Sequence, residues 1–180
     1  MGMRAAKVKL VLALYGPTCV GKSTLAQEIG KRLRANVRHC GQILKEKTSQ
    51  LKIPFDSLPI ELNRAVDAET RRFAEDADEI RVIEGRYLNI VLFGIPNVRL
   101  LRLKCSDVIR NARFSSQVGK APNKLSIAEQ DSFDKDTSKI LYGDSPLTQE
   151  DWIVLDTTRY SPETLTEIVL KRLGQEAQID

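Results

Sequence analysis

Short apolar runs alternate with helical repeats along this 180-residue chain. Val8–Tyr15 is an apolar run of the kind that forms a parallel strand buried on both faces. Lys22–Leu33 carries Leu25, Ile29 and Leu33 at helical spacing on one face. Asn36–Cys40 predicts a short second strand and Gln42–Gln50 a helix, with Pro54 and Pro59 interrupting the segment after it. Ile60–Ala77 reads as a charged helix with Leu62, Val66 and Phe73 inward. Ile80–Glu84 and Leu100–Lys104 are the next strands. Asp107–Phe114 begins a helix, and Gln117–Leu125, with Gly119 and Pro122, reads as a loop. Ala128–Leu141 is helical, with Gly143 as its cap. Trp152–Asp156 is the last strand. Ser161-Pro162-Glu163 opens a helix to about Leu173, with Ser at the cap, Pro at the first position and acids near the positive end.

Strands separated by helices predict one doubly wound α/β domain over residues 1–180. Its core is a parallel five-stranded sheet, with a helical lid at about 107–142. Right-handed crossovers put ligands outside the carboxyl ends of the strands. Four polar groups fall there: Gly16 to Ser23, Cys40-Gly41-Gln42, Glu84-Gly85-Arg86 and Asp156-Thr157-Thr158-Arg159.

The first group decides the chemistry. Gly16-Pro17-Thr18-Cys19-Val20-Gly21-Lys22-Ser23 fits G-x-x-x-x-G-K-[ST], a phosphate-binding P-loop, between a strand and a helix as the motif requires. The glycines let the backbone curl around a polyphosphate, and the helix N-terminus adds its positive end. Lys22 would reach the β- and γ-phosphates and the Ser23 hydroxyl would ligate Mg²⁺. Thr24 continues the loop into the helix.

Composition narrows the setting. The chain is 42% hydrophobic with a net charge of +4, too small to argue for a nucleic-acid partner. No apolar stretch approaches a membrane span. The basic start followed by an apolar run resembles a signal peptide, but cleavage there would destroy the P-loop. Cys19, Cys40 and Cys105 form neither a zinc pattern nor a closed disulfide set, so a cytoplasmic protein is expected. Cys19, inside the P-loop, is either oxidation-sensitive or an inert small residue. Seven basic residues and one acid lie between Arg99 and Lys124. They form either a solvated face or a cover over phosphates.

Among P-loop proteins, a guanine-reading GTPase needs N-K-x-D, and the near match Asn123-Lys124-Leu125-Ser126 lacks the carboxylate. No D-x-x-G switch and no S-G-G-Q transporter signature is present. A small kinase remains. The chain resembles the nucleoside monophosphate kinases, particularly the short cytidylate kinases of archaeal type, from Val8 to about Leu173. Four stretches carry the likeness. They are the P-loop; Cys40-Gly41-Gln42-Ile43-Leu44-Lys45; Val82-Ile83-Glu84-Gly85-Arg86, similar to a strand ending in E-G-R; and Asp151 to Glu163, similar to the last strand, base-side loop and closing helix. The resemblance implies transfer of the ATP γ-phosphate, with Mg²⁺, to a nucleoside monophosphate, CMP or dCMP first. A P-loop kinase for another small acceptor and an ATP-binding module without transfer activity are the alternatives. The oligomeric state is left open.

Phosphoryl transfer is mainly positioning and charge neutralisation, so cations are the candidates. Arg86, at a strand end, can take the acceptor phosphate in two bonds, with Gly41, Lys45 and Arg64 beside it. A structural salt bridge is the competing role for Arg86. Glu84 joins Ser23 as a candidate Mg²⁺ group, through bound water or by orienting Arg86. Arg110 and Arg113 match an R-x-x-R spacing of the family and share a helical face. With Lys22 they are the candidate catalytic residues. Thr158 and Arg159 would flank the base of ATP. Gln130 and Thr137 stand where the family has lid arginines, Gln42 replaces an acid and Lys45 an arginine. Each lost lid cation is worth roughly 3–4 kcal/mol in the transition state. Lys120, Lys124 or Lys135 could compensate. His39 is expected to end its strand as a packing or hydrogen-bonding residue.

Overall fold

The computed structural model describes residues 9–52, 58–118 and 126–176. In chain order the elements are β1 (Leu10–Tyr15), α1 (Lys22–Leu33), β2 (Asn36–His39), α2 (Cys40–Leu51), α3 (Ile60–Glu75), β3 (Ile80–Gly85), α4 (Leu88–Val91), β4 (Val98–Lys104), α5 (Asp107–Val118), α6 (Ile127–Tyr142), β5 (Ile153–Asp156) and α7 (Pro162–Glu176). The sheet has five strands in the order β2-β3-β1-β4-β5, every pairing parallel. This is the doubly wound α/β architecture.

β1 is central, and its alternate side chains enter two cores. Leu12 and Leu14 meet Leu25 and Ile29 of α1, Leu103 of β4 and Leu165 and Val169 of α7. Val11 and Ala13 meet Ala74 of α3, Leu88 of α4 and Ile83 of β3. All four β1 side chains are fully buried, which explains the unalternating pattern. Burying each large one stabilises the fold by about 1.5–3 kcal/mol. β1, β3 and β4 therefore deliver their carboxyl ends to one fixed edge.

Several element boundaries differ from the sequence reading. Cys40 opens α2 instead of ending β2, because pairing with β3 stops at His39 opposite Glu84. β4 begins at Val98 rather than Leu100, drawn into register with Val11. α4 is an added short turn whose Leu88 is buried against the second core. α5 runs through Val118, so the loop reading fails at Gln117 and Val118, where no glycine or proline yet breaks the helix. Lys120 and Lys124 lie outside the described residues. In α3 the fully buried positions are Val66, Thr70 and Ala74, and Phe73 packs half-buried against the second core with Arg81 over its ring at 4.5 Å. α6 starts with a capping box that Ser126-Ile127-Ala128-Glu129 encodes: Ser126 Oγ accepts from Glu129 N at 3.2 Å, and Glu129 Oε2 from Ser126 N at 2.6 Å. Among the described residues no helix is long and apolar enough to cross a membrane.

Candidate active site

The loop between β1 and α1 has the backbone a polyphosphate cradle needs. Gly16 has φ 144° and a Cβ there would lie 2.7 Å from the Leu103 carbonyl oxygen, so β4 excludes any side chain. Gly21 has φ 99° and caps α1. Cys19 sits at φ 60°, a left-handed position that costs a non-glycine residue about 1–2 kcal/mol. Other elements hold it there by binding the loop carbonyls. Arg110 Nε donates to Thr18 O at 3.0 Å, Arg113 Nη1 to Cys19 O at 3.4 Å, and Thr157 Oγ1 to Val20 O at 2.7 Å. A turn of this kind leaves converging amide groups for an anion.

Lys22 folds back over the loop. Its Nζ donates to Gly16 O at 2.9 Å and Pro17 O at 2.8 Å. Burial draws its pKa down to about 8, against the pull of Glu84. Ser23 Oγ donates to Glu84 Oε1 at 3.2 Å, and His39 Nδ1 lies 3.3 Å from the same oxygen. Glu84, at the end of β3, is 5% exposed. Neighbouring oxygens of an Mg²⁺ octahedron lie about 3 Å apart, so the Ser23 and Glu84 pair fits such an ion. Among the described residues no cluster of three or more His, Cys, Asp or Glu groups could hold a metal, so phosphate oxygens and water would complete its shell. His39 ends its strand as a hydrogen-bonding residue that steadies Glu84.

Three cavities border the loop. One of about 270 Å³ is lined by Gly21, Thr24, Arg113, Thr157, Tyr160 and Pro162. A second, of about 510 Å³, runs from Lys22, Ser23 and Glu84 past Gly41, Lys45 and Arg86 to Asn63, Val66 and Asp67. A third, of about 780 Å³, borders Gly16 and Pro17 between Tyr15, Arg102, Lys135 and the segment 143–151, and shares Arg86 and Tyr87 with the second.

The predicted residues distribute unevenly among these spaces. Lys22, Ser23, Glu84, Gly41, Lys45 and Arg86 come together on the second cavity. Thr24 and Arg113 come together on the first. Arg64 does not join them: it is exposed on α3, while Asn63 and Asp67 of that helix face the cleft. Arg159 is also exposed and pairs with Asp156 at 3.5 Å, and Thr158 Oγ1 accepts from Ser106 N at 2.8 Å. Tyr160 and Pro162, and not Thr158 or Arg159, line the cavity of about 270 Å³.

The two arginines of α5 are brackets. Arg110 is 4% exposed and lines none of the three cavities. Its guanidinium forks onto Asp131 of α6 at 2.6 and 2.9 Å, with Asp107 at 3.2 Å. It is thus neutralised rather than aimed at a phosphate. Arg86 donates to Asp134 of α6, which also accepts from Thr18 Oγ1 at 3.3 Å and Gln130 Nε2 at 2.8 Å. The salt-bridge alternative for Arg86 is therefore present in this state. Asp131 and Asp134, one turn apart, dock α6 over the P-loop. Sequence reading passed over both acids. Their i,i+3 spacing was visible, but not that they face two arginines on other elements.

No protein-family model and no curated protein sequence matches the chain. Solved structures do. A gluconokinase from Sinorhizobium meliloti superposes with a TM-score of 0.64 at 12% identity, covering 96% of this chain and 98% of that one. The fold is that of the P-loop kinases. A shikimate kinase from Acinetobacter baumannii in complex with shikimate gives 0.63 at 10% identity over 94% and 96% of the two chains. An unliganded sugar kinase from Janibacter sp. gives 0.58 at 20% identity over 92% and 95%. At these identities the agreement concerns architecture.

Proposed function

We propose that this protein is a phosphotransferase that moves the γ-phosphate of ATP onto a nucleoside monophosphate, with CMP or dCMP as the first candidates. The observation that carries this reading is the junction of two clefts on one P-loop. The smaller, about 270 Å³, would take the donor base and the larger, about 510 Å³, the acceptor. Cys19 of the loop lines both, and Lys22 and Ser23 line the larger one beside it.

The roles divide by position. The P-loop backbone and Lys22 hold the donor phosphates. Ser23 and Glu84 would hold Mg²⁺, which when bound neutralises phosphate charge. Arg86 binds the acceptor phosphate once Asp134 releases it, exchanging one charge-assisted pair for another. Arg113 braces the loop from the donor side. An acceptor phosphate is already ionised at neutral pH and needs no general base. Among the described residues the carboxylates lining the cleft are Asp67, whose Oδ2 accepts from Tyr142, and Glu84, bonded to Ser23 and near His39. An acceptor hydroxyl would need a base within hydrogen-bond reach.

One observation favours a second reading. With Arg86 held by Asp134 and Arg110 by Asp131, and with Gln130 and Thr137 uncharged, the chain could bind ATP without transferring phosphate. ADP release measured with Mg-ATP and CMP, dCMP, UMP, AMP, GMP, gluconate or shikimate separates these. The kinase reading expects turnover on the order of 1–100 s⁻¹ with at least one nucleoside monophosphate. Turnover with gluconate or shikimate alone would replace the acceptor class. ATP binding without stimulation by any acceptor would support the binding module.

A further inference from the structure

We propose that Asp67 determines base specificity: its carboxylate accepts a hydrogen bond from an exocyclic amino group and so selects an amino-bearing base over its oxo counterpart. This rests on the nucleotide acceptor assigned above. The cleft of about 510 Å³ has two chemically distinct ends. Lys22 and Arg86 form one, suited to phosphate. Asn63, Val66 and Asp67 of α3 form the other, with Leu58, Leu44 and Val91 as apolar walls. An apolar slot closed by a few polar groups is how a flat ring is bound and oriented.

Asp67 is placed to read such a ring. Asn63 lies one helical turn before it, so both side chains project from the same face of α3. Tyr142, the last residue of α6, donates its hydroxyl to Asp67 Oδ2 at 2.6 Å. Among the described residues no hydrogen bond is made to Oδ1. Tyr142 also meets the Tyr87 ring edge-on at 5.6 Å, which fixes the group that orients the carboxylate. Burial raises the pKa of Asp67 from its ordinary value, against the Tyr142 hydrogen bond, so the carboxylate is partly desolvated and its unmade bond matters more.

The chemistry then discriminates. An ionised carboxylate only accepts, as Asp and Glu do toward the cytosine amino group in base readout. Against uracil it faces a carbonyl oxygen, and two acceptors repel. CMP and UMP differ at this edge and little elsewhere, which makes them a matched pair. Asn63, whose Nδ2 donates one hydrogen to Pro59 O at 3.5 Å, keeps its Oδ1 and second N–H for the neighbouring ring positions.

The test compares kcat and KM for CMP and UMP in wild type, Asp67→Asn and Tyr142→Phe, with each protein's melting temperature. Wild type should prefer CMP. Asp67→Asn, whose amide can donate to an oxo group, should lower the CMP-to-UMP ratio of kcat/KM by about tenfold or more, chiefly through KM. Tyr142→Phe, which keeps the charge and removes the orienting hydroxyl, should retain the CMP preference. A merely structural Asp67 would move both substrates equally, and an unchanged ratio in Asp67→Asn overturns the proposal even if both nucleotides are phosphorylated. A wild-type preference for UMP overturns it too. If no monophosphate is phosphorylated, the acceptor assignment falls and this inference with it.

Discussion

Lys22→Ala is expected to abolish phosphoryl transfer while the ligand-free protein melts within a few degrees of wild type. The two halves have separate causes. Lys22 projects from a turn and contributes nothing to either apolar core. Its two bonds, to the carbonyls of Gly16 and Pro17, lie within its own loop. The ammonium is also desolvated, with its pKa drawn down to about 8. A lysine lowered on folding binds fewer protons folded than unfolded between that value and the ordinary one. Its charge therefore opposes folding below pH 8, and the penalty fades as pH rises toward about 10.4. Alanine removes that penalty along with the two bonds, and the effects offset. With Mg-ATP the balance reverses, because the phosphates supply the charge the loop lacks. The ATP-induced rise in melting temperature, which scales with the logarithm of concentration over Kd, should shrink sharply. An unchanged ATP shift in the variant would show that the phosphates bind elsewhere.

Arg113→Ala is expected to lower kcat by about 10²-fold or more, the usual effect of removing a donor that serves the transition state. Position adds a cost that spacing alone did not indicate. Arg113 Nη2 donates to Thr157 O at 2.9 Å, and Nη1 reaches Thr157 Oγ1 at 3.2 Å and Val20 O at 3.3 Å. It therefore holds the P-loop against the end of β5 while lining the cavity of about 270 Å³. Losing these charge-assisted bonds should cost about 2–3 kcal/mol, or roughly 5–10 °C in Tm for a domain of this size. Arg113→Lys should recover part of the stability and little of the rate, since a point charge cannot span the same carbonyls and hydroxyl. Measured kcat, ATP affinity and Tm for the three proteins distinguish the roles. A lower Tm with wild-type kcat would make Arg113 a brace alone.

The sheet and the P-loop were legible in the sequence for physical reasons. β1 is buried on both faces, so its run is apolar without alternation. The loop places three positive-φ residues and a lysine at fixed spacing, and Gly16, Gly21 and Lys22 record most of that demand locally, while Cys19 does not announce its left-handed backbone. Arg64 and Asn63 show where local reading stopped. Adjacent residues on a helix point in different directions, and which one meets the cleft depends on how α3 packs against α2. The contacts of α6 were harder still. Asp134 pairs with Arg86 from 48 residues away, and no local pattern encodes such a partner. Arg110 carried the right spacing for a phosphate contact and is instead consumed by Asp131. Charge, read along a chain, gives sign but not pairing.

That pairing frames the central question, whether Asp134 yields Arg86 to an acceptor phosphate or keeps it. Transfer of label from γ-³²P-ATP to CMP in the presence of Mg²⁺, followed by separation of the nucleotides, answers it directly. The expected result is labelled CDP formed in proportion to enzyme, with little free phosphate and none of the product with Lys22→Ala. Label remaining in ATP, or appearing only as inorganic phosphate with every nucleoside monophosphate tried, would contradict a phosphotransferase acting on nucleotides.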